Sequence, residues 1–270
     1  MKEKSKLLAA LPGDGLALLN WDDNNVKKMA LAAKSKIIRY GFSQEADFWA
    51  DNIRVNFSGM TFDLHWRGEK LEITTGLIGR HFVSACLAAA AVGVSQGLTW
   101  AEIKRGLSKL EPLKGRLSIE KGPLGSILIN DALRANPAST LAGLQTLADL
   151  PLRPLDSARG HRIAVLGEMG ELGSLAEAEH RRVGKTLVSL NIDYLVAIGP
   201  LQKFTAEQAV KTGMKKDRVF WVEDVTKAAQ TLSGLLRPGD LFYLKGSLLR
   251  HLERVILILE GKKVNCVTTS

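Results

Sequence analysis

The sequence predicts an α/β protein built in two parts, and three observations carry that prediction. Beyond about residue 115, short apolar runs alternate with longer helical periods, the pattern of a mostly parallel sheet covered on both faces. Before it the runs lie closer together, and Thr61 to Trp66 and Lys70 to Thr74 read as a hairpin across Arg67-Gly68-Glu69. Between the two regimes Pro112 and Gly115 punctuate the chain. Its 270 residues are enough for two ordinary domains, each with its own core.

In order, Gly15 to Asn20 reads as a buried strand ending in the polar cluster Asn20-Trp-Asp-Asp-Asn24, and a helix follows from Val26 to Ala33. Strands are expected at Lys36 to Tyr40 and Ala46 to Val55, ahead of the hairpin. Gly79 to Gly93 is a helix rich in Ala and other small apolar residues, so it should be buried on most sides. Thr99-Trp-Ala-Glu102 is a capping box opening a helix that runs to about Leu110. The second part offers strands at Ser126 to Asn130, Arg162 to Gly167, Tyr194 to Ile198, Arg218 to Val222, Leu241 to Leu244 and Val264 to Val267. Helices are expected at Ser139 to Leu150, Ser174 to Leu190, Thr205 to Thr212, Val225 to Leu236 and Leu248 to Ile258, with Ser174-Leu-Ala-Glu177 as a second capping box.

Composition narrows the class. The chain is 46% apolar, 24% charged and 6% aromatic, with mean hydropathy +0.01, which excludes disordered and collagen-like chains. Apolar stretches such as Leu87 to Val94 fall short of the roughly 20 residues of a membrane span. The apolar run before Pro12 and Gly13 is too brief for a secretory segment. Cys86 and Cys266 form neither a disulfide framework nor a metal spacing, and the five histidines show no ligand spacing, so the expectation is a cytoplasmic protein without a protein-ligated metal. Net charge is +9, yet the basic residues are scattered doublets such as Lys27-Lys28 and Arg181-Arg182. That pattern argues against nucleic acid and suits a polyanionic small molecule.

In such sheets ligands sit beyond the carboxyl ends of the strands, so the loops after strands hold the candidate residues. Gly184-Lys185-Thr186 imitates the tail of a P-loop, but Glu179 stands where its first glycine belongs, and the segment lies inside a helix whose amides are already bonded. No Gly-x-x-x-x-Gly-Lys-Ser/Thr occurs in the chain. Gly167-Glu-Met-Gly-Glu-Leu-Gly173 follows a strand, and Glu168 and Glu171 would repel a pyrophosphate, leaving an amine-binding loop or a structural turn. In Asn130-Asp-Ala-Leu-Arg-Ala-Asn-Pro137, Asp131 could accept ribose hydroxyls and Arg134 could meet phosphate, while Asn136 or Ser139 caps the next helix. Arg116 is either a guanidinium at a ligand-bearing domain seam or an exposed linker residue. Lys245-Gly-Ser247 suits a carboxylate or phosphate at a helix N-terminus, and equally a Ser cap beside a solvated Lys.

Taken together, Gly115-Arg116, Asn130 to Pro137, Val165-Leu-Gly-Glu-Met-Gly-Glu-Leu-Gly173, His180-x-x-Val-Gly184, Gly199 and Lys245-Gly-Ser247 closely resemble the Mur ligases of peptidoglycan synthesis, and among them the MurF type. Gly15 to Asp23 is similar to the family's G-x-x-x-x-N-x-D-D strand, and Gly79-Arg-His81 with Leu87-Ala-Ala89 to its G-x-H-N-x-x-N-A-L-A-A helix. The resemblance implies the tail of a central ATPase domain over residues 1–114 and a Rossmann-like C-terminal domain over 115–270. It implies an ATP- and Mg²⁺-dependent ligase adding D-Ala-D-Ala to UDP-MurNAc-tripeptide: ATP phosphorylates the substrate carboxylate and the dipeptide amine attacks the acyl phosphate.

By the same resemblance, His81, Arg116, Asp131 and Arg134 would bind nucleotide, and Glu168, Glu171, Lys245 and Ser247 the dipeptide. The UDP-sugar domain, the P-loop, the Mg²⁺ ligands and the carbamylated-lysine segment would lie before Met1, so the chain alone is expected to be inactive. Its apolar surface should be open along Gly15 to Asn20 and the helix from Gly79, leaving the first hundred residues protease-sensitive. A separate polypeptide carrying the missing half, or a degenerate binding subunit, is the alternative. Phe82 and Ala85 replace the helix motif's two asparagines, and Leu248 the arginine usual after Lys-Gly-Ser, which weakens the expectation for adenine most.

Overall fold

The computed structural model describes residues 2–152, 154–155, 158–246 and 251–262. They form two compact units, residues 1–111 and 112–270.

The first unit carries a five-stranded mixed sheet in chain order: β1 (Leu16–Asn20), β2 (Lys36–Gly41), β3 (Phe48–Asn56), β4 (Gly59–Trp66) and β5 (Glu69–Thr75). The first three are parallel neighbours and the last three antiparallel. The hairpin between β4 and β5 turns on Arg67 and Gly68 alone, both at positive φ (48° and 81°), as a tight two-residue turn requires. α3 (His81–Ser95) buries Val83, Cys86, Leu87 and Ala90 against Phe48, Phe62 and Ile73 of the sheet. The capping box opens α4 (Trp100–Ser108) as expected, with Thr99 Oγ1 accepting from the Glu102 amide and the Glu102 carboxylate accepting from the Thr99 amide.

α1 (Lys2–Ala10) was not anticipated. Its Lys, Glu, Leu and Ala residues are good helix formers, and it ends ahead of Pro12. Leu8 of α1 packs with Ala17 and Leu19 of β1 and with Val26 and Met29 of α2 (Asn24–Met29). The apolar surface expected to be open along β1 is therefore largely covered within this unit, although Leu7 and Leu31 stay exposed.

The second unit has a six-stranded sheet ordered β12-β11-β10-β13-β7-β6. Its strands are β6 (Ser118–Lys121), β7 (Ile127–Asp131), β10 (Arg162–Gly167), β11 (Tyr194–Ile198), β12 (Val219–Val222) and β13 (Leu241–Lys245), while β8 (Pro154–Leu155) and β9 (Ala158–Arg159) form a separate small pair. All neighbours in the six-stranded sheet are parallel except β6, which returns antiparallel on β7. The helices are α5 (Pro137–Asp149), α6 (Ala176–Ser189), α7 (Gln202–Lys211), α8 (Val225–Leu235) and α9 (Glu253–Leu259). Strand order reverses at β10, whose successors β11 and β12 lie to one side and β13 to the other; ligand crevices form beyond the carboxyl ends at such a point.

Three local expectations need correction. The Ser174 capping box does not form: Ser174 lies in a 3₁₀ turn over Gly173–Leu175, and α6 starts at Ala176 with no side-chain cap. Of the last expected helix, Glu253–Leu259 is helical and residues 251–252 form a turn, while residues 247–250 and the expected strand at 264–267 lie outside the described residues. β6 was missed because Ser118-Ile-Glu-Lys121 is short and half polar. No helix among the described residues is long and apolar enough to cross a membrane.

Candidate functional site

β10, β13 and β7 are adjacent and parallel, so their carboxyl ends bring three of the sequence motifs side by side. In register, Leu166 neighbours Lys245 and Lys245 neighbours Asp131. Glycine makes the approach of the loops possible: a Cβ on Gly246 would stand 2.0 Å from Cδ1 of Leu252 and 3.5 Å from the Gly167 Cα. The glutamate loop and the lysine loop thus leave the sheet in contact.

Asp131 is the centre of the cluster. Its Oδ2 accepts from Lys245 Nζ at 2.6 Å and from the Tyr243 hydroxyl at 3.0 Å, and Lys245 also donates to the Arg134 carbonyl at 2.8 Å. Lys245 is only 2% exposed. Burial pushes its ammonium below the usual lysine range; Asp131 raises it in part and the charge of Arg116 lowers it again. Burial and then Asp131 hold the Tyr243 phenol well above its ordinary value. In this structure the Lys245 ammonium is paired with Asp131, and residues 247–250, where the expected helix would start, lie outside the described residues. Ser247 lies outside the described residues.

Arg116 and Arg134 are both exposed. Gly115, at φ +77°, packs against the Leu133 side chain, so the Gly115-Arg116 corner and the Asn130–Asn136 loop are neighbours. A hydrogen-bond chain fixes the corner: the Gly115 amide donates to Ser118 Oγ, that hydroxyl donates to Glu120 Oε1, and Asn130 Nδ2 donates to the same oxygen. Asn136 caps α5 with Ser139 as its capping-box partner, so that part of the motif is local structure.

On the other side of Lys245, Glu168 is 8% exposed and its Oε1 accepts from the Leu201 amide at 2.7 Å, next to the start of α7. Glu171 is exposed and left-handed, at φ +62°. In the first unit His81 is exposed at the start of α3 with its ring 4.3 Å from Phe82. Asp22 and Asp23 have local duties: the Asp22 carboxylate accepts from the Phe42 amide and Asp23 caps α2.

Open cavities occur elsewhere. One of about 270 Å³ includes Asn191, Asp193, Lys215 and Arg218, and one of about 300 Å³ in the first unit includes Lys36, Trp49, Trp66 and Arg67. Neither is lined by the residues above. Among the described residues no group of three His, Cys, Asp or Glu could hold a metal ion. Tyr243, Ser118 and Glu120 escaped sequence reasoning. Tyr243 had a signal, since it stands two positions before Lys245 on one strand and so shares its face.

A family model described as the Mur ligase middle domain matches residues 1–93, and one described as the Mur ligase, glutamate ligase domain matches residues 115–248. The chain belongs to the Mur ligase family. It is 32% identical over 260 residues to the UDP-N-acetylmuramoyl-tripeptide–D-alanyl-D-alanine ligase of Mycobacterium tuberculosis H37Rv, a match covering 90% of this chain and 50% of that protein. It is 33% identical over 200 residues to the Escherichia coli K12 ligase of the same name, covering 73% and 42%. The crystal structure of MurF from Acinetobacter baumannii superposes with a TM-score of 0.82 at 26% identity, over 97% of this chain and 55% of that one. MurF from Thermotoga maritima in complex with ADP gives 0.79 at 18% identity, a likeness of fold. The chain spans about half the length of the curated relatives it matches.

Proposed function

We propose that this chain is the part of a MurF-type ligase that holds the incoming dipeptide and one side of the nucleotide, in the ATP-dependent addition of D-Ala-D-Ala to UDP-MurNAc-tripeptide for peptidoglycan. One observation carries the reading: in a chain about a third identical to such ligases, Asp131, Lys245 and the Glu168 loop sit on adjacent strand ends. Residues 1–114 and 115–270 are then its central-domain part and C-terminal domain.

The donor set fits a nucleotide in part. Arg116 and Arg134 are exposed cations beside a buried Asp131–Lys245 pair, suited to a phosphate chain with a hydroxyl-accepting carboxylate behind it. Lys245 and Tyr243 act as the supports that hold Asp131 in place. When bound, ATP supplies the phosphoryl group that activates the substrate carboxylate. Glu168 and Glu171 fit the dipeptide ammonium, and Ser247 its carboxylate. His81 fits the nucleotide on the first unit, without the asparagines that Phe82 and Ala85 replace. Among the described residues no cluster of carboxylates fits Mg²⁺.

The test is ligand-observed NMR of the 270-residue chain with D-Ala-D-Ala. Binding at about millimolar strength or weaker is expected, because ordering costs offset a few charged contacts. Saturation transfer should vanish in a Glu171→Gln, Ser247→Ala double variant that keeps the wild-type spectrum. Equal signals from both proteins overturn the assignment. With UDP-MurNAc-tripeptide, ATP and D-Ala-D-Ala, phosphate release by the 270 residues alone should stay at background, since no phosphate-cradling loop occurs in them; robust turnover refutes this.

A further inference from the structure

His180 is the one histidine of the second unit that is wholly buried, and both of its ring nitrogens are committed among the described residues. Nδ1 lies 2.7 Å from the Ala176 carbonyl, which can only accept, and Nε2 faces the Met169 amide at 3.3 Å, which can only donate. Those partners fix the neutral Nδ1–H tautomer. Met169 sits between Glu168 and Gly170, so the ring is a strut from α6 to the glutamate loop. The same segment is held at two more points, where Gln202 Nε2 donates to the Gly167 carbonyl at 2.6 Å and the Leu201 amide donates to Glu168. Thr205 Oγ1, from α7, donates to the His180 carbonyl.

We propose that His180 is a positioning residue that works as a proton-operated latch, holding the Glu168–Glu171 loop closed while neutral and releasing it when protonated. An imidazolium would set an N–H against the Met169 N–H, which removes the bond and adds repulsion. The inference rests on the reading of this loop as the amine site for its functional consequence, but the latch itself can be measured without that reading.

The surroundings favour the neutral ring. Burial lowers its proton affinity, opposed in part by the Ala176 carbonyl and by the charge of Glu168. Of the other charges on the packed helices, Arg181 pairs with Glu177 and Glu207, Arg182 with Glu179, Lys203 with Glu207, and Asp149 of α5 with Gln145, while Lys185 and Lys211 are exposed. With the closed-state value below the ordinary 6.5, the open loop binds more protons in the interval between them. Closure is therefore intact above about pH 6.5 and weakens as pH falls. Between pH 7.5 and pH 5.5 opening therefore rises, by a factor of up to about ten, the ceiling set by the ordinary value of the open ring.

The experiment uses the ¹⁵N-labelled 270-residue chain without ligand. Ring ¹H–¹⁵N spectra at pH 7.5 should show His180 protonated at Nδ1 alone, and hydrogen exchange at the Met169 amide, corrected for intrinsic rate, should show opening that rises at pH 5.5, by up to about tenfold. In His180→Gln the side-chain oxygen can still accept from Met169 but does not titrate, so the opening constant should be the same at both pH values. A ring protonated at Nε2, or wild-type opening that is flat with pH, overturns the latch; both readings come from the wild type, so a variant that fails to fold leaves the test decisive. Adding D-Ala-D-Ala then separates the two readings. Saturation transfer that falls with the latch supports both; dipeptide binding that ignores pH while the latch opens removes the functional link alone; no binding at any pH removes the amine-site reading and leaves the exchange result to decide the latch.

Discussion

Lys245 shows how far a residue's neighbours decide its role. Beside Gly246 and Ser247 its sequence context fits an anion site, and only strand order reveals that Asp131, 114 positions earlier, takes the ammonium. Sequence spacing carries no trace of that pairing, because it depends on β13 inserting between β10 and β7. Lys245→Ala leaves a carboxylate buried without its cation, a change that costs about 3–5 kcal/mol. A urea titration of the second unit's tryptophan, Trp221, should record the loss, and Lys245→Met with Asp131→Asn should recover most of it. If Lys245→Ala is neutral, the pair is not the buried contact described. Cys86 offers a pH-dependent counterpart. Burial pushes its thiol up from 9.0 to about 11, so folding keeps a proton that the unfolded chain releases. The contribution is complete below pH 9 and is lost as pH rises through about 11, in total about 3 kcal/mol. Stability measured at pH 8 and pH 11 should drop by about 2 kcal/mol more in the wild type than in Cys86→Ala, both in a Cys266→Ser background. Equal drops would mean the thiol is not sealed from water.

At the scale of elements, periodicity was most legible where packing agrees with it. The strands Arg162–Gly167 and Tyr194–Ile198 match the sequence reading residue for residue, being short and, after their first residue, free of polar side chains. Helix starts were harder, because the chain has two ways to begin one. Thr99 does so with a side-chain cap, whereas α6 enters through a 3₁₀ turn that uses Ser174 differently. Gly184 is a third case, placed by packing between helices. A Cβ there would lie 2.4 Å from the Thr205 carbonyl of α7, so its glycine serves close approach of α6 and α7 and has no phosphate to cradle. Gly184→Ala should cost about 1–3 kcal/mol by overpacking, while Lys185→Ala, on the exposed side of α6, should stay within about 0.5 kcal/mol. Thermal unfolding of the two variants reads the contrast. A Lys185 effect as large as that of Gly184 would mean the segment has a role beyond helix packing.

For the whole molecule the question is whether the first hundred residues stand by themselves. By sequence alone they are short of cover, since β1 and α3 are apolar elements with few evident partners. The structure supplies a partner in α1, whose amphipathic stretch was too brief to register as a helix, and it closes a core of Phe48, Phe62, Leu64, Ile73, Val83 and Leu87 between α3 and the sheet. Each unit thus has apolar residues sealed from water, and backbone sealed in a core exchanges and cleaves only on cooperative opening. Between them, Lys109, Leu113 and Lys114 are exposed and belong to neither a helix nor a strand. Trypsin at low ratio should therefore cut first after Lys109 or Lys114 and leave two resistant fragments, identified by intact mass. The contrary outcome is informative in itself. Early cuts at Arg54, Arg67 or Lys70 within the β3–β5 sheet, with 115–270 persisting alone, would mean that the first unit opens readily and depends on chain or partner surface beyond its own core to stay folded.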